Sequence, residues 1–200
     1  MTELKTETKS IQNLCVGSLR TNCWVYLMPN PGSPRHCVVI DPGADAPLII
    51  KHLKKHDLCP KFVLLTHGHF DHITALPELV KAYPSVVAIH QDDSSYLKNK
   101  SVKLLIDGGT IGPFKVIHVP GHTPGSVAFY DEEGGILFTG DTLFNADCGR
   151  TDLAGGNQFK LIKSLERLFT MKGSIRVLPG HGSETTIAAE AARGLSFFNG

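Results

Sequence analysis

The chain lacks any apolar run long enough to span a bilayer, and its polar opening, Met1 to Ser10, lacks the apolar segment of a secretory signal. A membrane-embedded protein is therefore not expected, and the cytoplasm is the expected compartment. An excess of one charge is also missing: 20 basic residues face 19 acidic ones, with no like-charge block. No nucleic acid and no membrane surface is then an expected partner, since both select basic stripes. Paired cysteines are absent as well. The five present (Cys15, Cys23, Cys37, Cys59, Cys148) are odd in number and include no CxxC. Neither a disulfide framework nor a structural zinc finger is expected, and buried free thiols are the default reading. No low-complexity tract or long linker divides the 200 residues, and 42% hydrophobic content is ample for a core. One domain over residues 1–200 is the economical expectation, as a monomer or homodimer.

What is present is an alternation of short β-type runs and helical patterns. Val38–Ile40 reads as a strand ending at Asp41-Pro42-Gly43. Pro47 fits a helix start, with Leu48, Ile49, Leu53 and His56 on one face. Phe62–Leu65 reads as a strand, Leu76–Tyr83 as a helix stopped by Pro84, Val86–Ile89 as a strand and Gln91–Leu97 as a helix. From Phe114 the chain turns β-rich, with strands predicted at 114–119, 126–130 and 135–139 and a hairpin turn over Asp131–Gly135. Phe159, Ile162, Leu165, Leu168 and Phe169 recur at helical spacing, Ser174–Leu178 reads as a strand, and Glu184–Arg193 as a terminal helix. Pro29–Pro34 is taken as a turn between strands, and Leu195-Ser196-Phe197-Phe198 is an apolar tail that packs on the body or on a second subunit.

The chemistry concentrates in Thr66-His67-Gly68-His69-Phe70-Asp71-His72, directly after the apolar run 62–65. An HxHxDH string arises by chance in about one in a thousand chains of this composition. That rarity outweighs the alternative of solvated loop histidines. Three later segments repeat one grammar, a β-type run followed by a turn and then a ligand-type residue. Pro120-Gly121 leads to His122, Thr139-Gly140 to Asp141, and Pro179-Gly180 to His181. Strand ends of a sheet share an edge, where α/β proteins place their sites, and glycine lets the backbone turn sharply beside a metal. Each residue alone is weak; together with the first cluster they predict one pocket. The remaining histidines (His36, His52, His56, His90, His118) are read as surface or strand residues.

The strings THGHFDH, PGHTPGS, GDTLF and PGHG, in this order, resemble the metallo-β-lactamase superfamily over about residues 22–181. The resemblance implies an α/β fold, a four-layer αβ/βα sandwich with metals at one edge of two facing sheets. It implies that His67, His69 and His122 hold one metal, that Asp71, His72 and His181 hold a second, and that Asp141 bridges them. Imidazole and carboxylate suit two Zn²⁺ ions, with iron or manganese as acceptable substitutes. Two such cations share a hydroxide, lower its pKa and stabilise the oxyanion formed at a carbonyl, while Asp71 orients the hydroxide.

Within that superfamily, the stretch from Gly140 to Asn157, Thr21-Asn22-Cys23-Trp24 and residues 38–43 resemble the glyoxalase II (hydroxyacylglutathione hydrolase) branch. The implied reaction is hydrolysis of a small acyl-thioester to a thiol and a hydroxy acid. Asp141 disfavours antibiotic hydrolysis, because many zinc β-lactamases carry cysteine there or lack a bridging carboxylate. His69 in place of glutamate argues against flavodiiron oxygen reductases. Two features depart from the long enzymes of the branch. Only 19 residues follow His181, so the helical domain that helps bind glutathione is missing, as in short bacterial forms. His72-Ile73-Thr74-Ala75 also lacks the Gly-Gly that often follows the motif, and is reminiscent of persulfide dioxygenases. Those use one iron, here through His67, His122 and Asp141, and also carry Gly-Arg-Thr-Asp. Lactonase or phosphodiesterase chemistry, within the same superfamily, is a third reading. Arg150 is a candidate for a substrate carboxylate, though pairing with Asp152 is the simpler role; Cys148 is not needed as a nucleophile.

Overall fold

The computed structural model describes residues 11–29, 34–98 and 101–195. The 29–34 turn, the opening segment and the tail beyond Leu195 fall wholly or partly outside these. Among the described residues, twelve strands form two six-stranded sheets. The first takes β1 (Ile11–Val16), β2 (Thr21–Leu27), β3 (Arg35–Ile40), β4 (Leu58–Leu64), β5 (Val86–His90) and β6 (Lys103–Leu105), in that spatial order. The second takes β7 (Thr110–Ile111), β8 (Phe114–His118), β9 (Val127–Asp131), β10 (Ile136–Gly140), β11 (Arg176–Pro179) and β12 (Thr185–Thr186), again in order. The chain therefore passes from one sheet to the other once, between β6 and β7. Strands β3 to β6 run parallel in the first sheet, and β10 and β11 are the parallel pair of the second.

Period-2 alternation assigns every central strand two buried faces. Trp24, Tyr26, Val38, Ile40 and Leu64 of the first sheet meet Phe114, Val116, Phe129, Phe138 and Leu178 of the second in a shared middle layer. Tyr26, Phe114 and Phe138 pack edge to face there, with centroids 4.9–6.4 Å apart. The alternate residues, Cys23, Val25, Cys37, Val39 and Val63, turn outward against α1 (Ala46–Lys55) and α3 (Leu76–Ala82) through Ile49, Leu53 and Leu79. Ala128, Leu137 and Val177 likewise meet α4 (Gln158–Phe169) and α5 (Ile187–Arg193) through Leu161, Leu165, Leu168 and Ile187. Two sheets face to face with helices on both outer sides make the four layers of an αβ/βα sandwich. No helix among the described residues is long and apolar enough to cross a membrane.

The structure differs from the expectations in particular places. Leu48 and Phe159 are exposed, and Leu161 occupies the buried stripe of α4 instead. The predicted helix at 91–97 is a 3-10 turn over Gln91–Tyr96. Residues 185–186 pair as β12 before α5 begins, because Thr186 caps the helix through its hydroxyl. Strands β1, β6 and β7 carry no clean apolar alternation and escaped prediction. All five cysteines are free, but Cys15 is exposed, since edge strand β1 turns it to solvent.

Candidate metal centre

The parallel geometry of β3 with β4 and of β10 with β11 puts four strand ends on one edge. Asp41 follows β3, and the cluster 67–72 follows β4, continuing into the single-turn helix α2 (Phe70–Ile73). Asp141 follows β10 and His181 follows β11. His122 stands on the β8–β9 loop. All seven predicted residues meet at this edge, delivered by both sheets rather than one. Glycine is required at 180, because a Cβ there would overlap Asp141 Oδ1 and His72. At 140 a positive φ of 50° and the approach of Thr66 both demand it.

Two sets of facing atoms emerge. His67, His69 and His122 present ring nitrogens to one another, with His69 Nδ1 and His122 Nε2 at 2.8 Å. Asp71, His72 and His181 form the second set. There, His72 Nε2 lies 3.3 Å from His181 Nε2 and 3.5 Å from Asp71 Oδ2, and His181 Nε2 lies 3.3 Å from Asp71 Oδ2. Asp141 reaches both sets: Oδ1 is 3.3 Å from His72 Nε2, while Oδ2 is 3.5 Å from His181 and 3.7 Å from His122. Ligand atoms about 2.05 Å from a tetrahedral ion stand about 3.3 Å apart, so the second set has the spacing of such a shell.

The remote nitrogens fix which face of each ring is available. Thr66 gives its hydroxyl proton to Asp41 Oδ2 at 2.6 Å, which leaves its oxygen to accept from His67 Nδ1 at 3.1 Å. His72 Nδ1 lies 3.0 Å from the same Asp41 oxygen. His122 Nδ1 donates to the Arg150 carbonyl at 2.8 Å, and His181 Nδ1 to the Leu19 carbonyl at 3.1 Å. Four imidazoles thus turn Nε2 inward, the arrangement that second-shell acceptors impose on ligating histidines. His69 is the exception and offers Nδ1. Asp71 Oδ2 accepts from the Thr21 hydroxyl at 3.1 Å.

Charge is unevenly shared among these groups. Burial and the neighbouring His72 hold the His67 pKa well below its usual value. Burial alone would lower His72 too, but the carboxylates of Asp141 and Asp41 outweigh it and push it well up. Contacts with Asp141 and Asp71 raise His181 to about 9. Asp141 is well below the carboxylate range despite its burial, because His72 and His181 face it. His67 Nε2 and Asp141 Oδ1 are buried without any hydrogen-bond partner. A buried, deprotonated imidazole nitrogen and a buried carboxylate oxygen, neither with a hydrogen-bond partner and both within one group of facing donors, fit a cation, which satisfies both at once.

Several supports were not foreseen. Asp93, fully buried, accepts from the Gly68 amide at 2.9 Å, the Thr123 hydroxyl at 2.7 Å and the Gly125 amide at 2.8 Å. It ties the loop of His67 and His69 to the loop of His122. Nothing in Gln91-Asp92-Asp93 distinguishes it from its exposed neighbour. Asp41 did carry a signal, since it ends a β-type run as the ligands do. Asn22 and Trp24 donate to the Pro179 carbonyl at 3.0 Å each and fasten the His181 turn to the first sheet. Arg150 pairs through two contacts, 2.6 and 2.7 Å, with Asp152, both mostly exposed. Burial pushes the Cys148 thiol up to about 11, which makes it a poor nucleophile near neutrality.

One other group of ligand types exists among the described residues: His90, Asp92 and His118. Its two rings stack at 4.2 Å with planes 9° apart. Lone pairs lie in the ring planes, so parallel rings aim theirs side by side and not at one ion. His118 Nε2 donates to the Pro124 carbonyl at 2.9 Å, and His90 Nδ1 accepts from the Asp92 amide at 3.3 Å.

The profile of the metallo-beta-lactamase superfamily matches residues 16–181. The chain belongs to that superfamily. It is 35% identical over 207 residues to the probable metallo-hydrolase YqgX of Bacillus subtilis, covering 92% of this chain and 95% of that one. It is 33% identical over 184 residues to the hydroxyacylglutathione hydrolase GloC of Haemophilus influenzae, covering 78% and 84%. Among solved structures, TTHA1623 in a di-iron-bound form matches with TM-score 0.80 and 36% identity over 90% of this chain and 96% of that one. The BLEG-1 B3 metallo-beta-lactamase matches at 0.82 and 33%, over 94% and 99%. ETHE1 from Myxococcus xanthus matches at 0.78 and 30%, over 90% and 81%. The chain is accordingly a metallo-hydrolase of this superfamily.

Proposed function

We propose that the protein is a thioester hydrolase of the hydroxyacylglutathione type, working with two divalent metal ions, in the first instance Zn²⁺. The observation that carries the reading is the second set of donors. His72 and His181 lie 3.3 Å apart and each stands 3.3–3.5 Å from Asp71 and Asp141, beside the His67, His69 and His122 set, so the centre has donors for two ions. Similarity to GloC supports the thioester class. When bound, the metal pair supplies Lewis-acid polarisation of the carbonyl and lowers the pKa of water.

The chain's own residues do the rest. Asp71 is a carboxylate, because positive charge beside it, on His181 and His72 or on a cation that those rings would hold, outweighs its burial and lowers its pKa. Its Oδ2, held by the Thr21 hydroxyl, orients the attacking water and accepts its hydrogen bond. Water adds at the carbonyl carbon, the carbon–sulfur bond breaks, and the thiol leaves with a proton as the acid forms. Arg150 faces the anionic carboxylate of the thiol half. It exchanges Asp152 for substrate at little cost, because water screens a pair this exposed.

A second reading is kept because of ETHE1 and the His72-Ile73-Thr74-Ala75 sequence: a mononuclear iron persulfide dioxygenase using His67, His122 and Asp141. Elemental analysis combined with two assays separates the readings. Two metal equivalents and thiol release from lactoylglutathione are expected. One iron, dioxygen uptake with glutathione persulfide and no thiol release would overturn the thioesterase reading.

A further inference from the structure

An apolar groove of about 670 Å³ opens between α2, α3 and the turn after β5, with Phe70 as one of its walls. Phe70, Ile73, Val80, Tyr96 and Leu97 supply its walls, and among the described residues Lys98 is the charged one that lines it. Its size falls within the range of small-molecule sites, roughly 300–1,000 Å³. The Thr74 hydroxyl in its wall donates to the Phe70 carbonyl, so it offers the cavity no donor.

Two side chains join the groove to the ligands. Phe70 stands between His69 and Asp71 in sequence and is 69% exposed. It is a wall both of this groove and of a smaller cavity bounded by Asp71, Thr21 and Leu19. Tyr96 packs against Gly68 so closely that no Cβ fits there, and its ring stands edge-on to His69, centroids 6.1 Å apart. An exposed phenylalanine between two ligand-type residues has no packing role to explain it. A soluble surface leaves such a contiguous apolar patch uncovered mainly where something apolar docks.

We propose that the groove takes the acyl chain of the substrate, so that the protein prefers thioesters of medium-length, unbranched apolar acids to those of small polar hydroxy acids. The inference rests on the thioester reading, in which Arg150 receives the anionic thiol half and the acyl half remains. The walls are mainly apolar carbon, with polar atoms confined to Thr74, Tyr96 and Lys98, so each methylene laid against them leaves water while a hydroxyl finds few partners.

The test is a series of acetyl, butanoyl, hexanoyl and octanoyl thioesters of one small polar thiol, hydrolysed by the metal-loaded protein. Full burial of a methylene is worth about a fourfold gain, and an open groove about twofold, so kcat/KM should rise about 60-fold from acetyl to octanoyl. Phe70→Ser should reduce that ratio below about tenfold, and the nearly isosteric Val80→Thr should reduce it about threefold, with thermal melts reporting the folding of both variants. Calorimetry with ketone analogues, in which a methylene replaces sulfur, reads the same chain-length dependence without turnover. Chain-dependent binding with no hydrolysis of any thioester would keep the groove and sink the thioesterase reading. Hydrolysis with a flat chain-length profile in both measurements would overturn the groove alone. So would a preference that follows the thiol chain instead, or a dimer that Phe70→Ser dissociates.

Discussion

Among the described residues two clusters of histidine and aspartate stand apart, and one of them has the form of a metal centre. In the first, the rings of His67, His69, His72, His122 and His181 meet at interplanar angles of 52–90°. Their remote nitrogens are mostly anchored to oxygen acceptors, so the inner ones converge. In the second, His90 and His118 lie almost parallel, and their anchors spread the lone pairs. The residue types are nearly identical. What separates them is the set of acceptors behind the rings, above all Asp41, which orients two histidines through one carboxylate oxygen. Orientation, not composition, makes the site.

The comparison breaks most decisively by ligand deletion. His67→Ala should lose metal and at least about a thousandfold in turnover, while His118→Ala should keep the full metal complement; mass-spectrometric metal counting on both variants checks it. Equal metal content in the two would erase the distinction between the clusters. Next in size, Asp71→Asn should cut turnover by about 10²–10³-fold with a far smaller change in melting temperature, since its role is to orient the attacking water. Steady-state kinetics beside a thermal melt separates the two quantities.

Asp93→Asn tests the anchors rather than the ligands. The amide keeps the shape but replaces one acceptor oxygen by a donor facing the Gly68 amide or the Gly125 amide, so metal affinity should fall about 10–100-fold, measured by competition with a chelator. The smallest expected effect concerns Cys148. With its thiol pushed up to about 11, alkylation at pH 8 should be slow and should rise about tenfold per pH unit, whereas exposed Cys15 reacts first. Peptide mapping after iodoacetamide treatment reads both. Rapid labelling of Cys148 at neutral pH would restore it as a candidate nucleophile.

The ligand-type residues were legible because each follows a β-type run directly, and a run followed by a turn and then His or Asp survives without knowledge of tertiary contacts. The central strands were legible for a related reason: burial on both faces makes 38–40, 62–65 and 136–138 continuously apolar. Edge elements were not. β1, β6 and β7 mix exposed and buried residues over a few positions, and their strand character comes from pairing with a neighbour. Phe159 and Leu48 misled because helical spacing does not say which side faces the sheet; the exposed face tolerates a large side chain. Asp93 was illegible for the strongest reason. Its three donors come from residues 68, 123 and 125, so its role exists only after the two loops have met.

The single crossing between the sheets has a consequence for inheritance and engineering. Cut between residues 105 and 110, the polypeptide would yield an amino fragment bearing His67, His69, Asp71 and His72 and a carboxyl fragment bearing His122, Asp141 and His181. Neither piece owns a full coordination shell for either ion. Any capture of metal would then register that the halves had found each other.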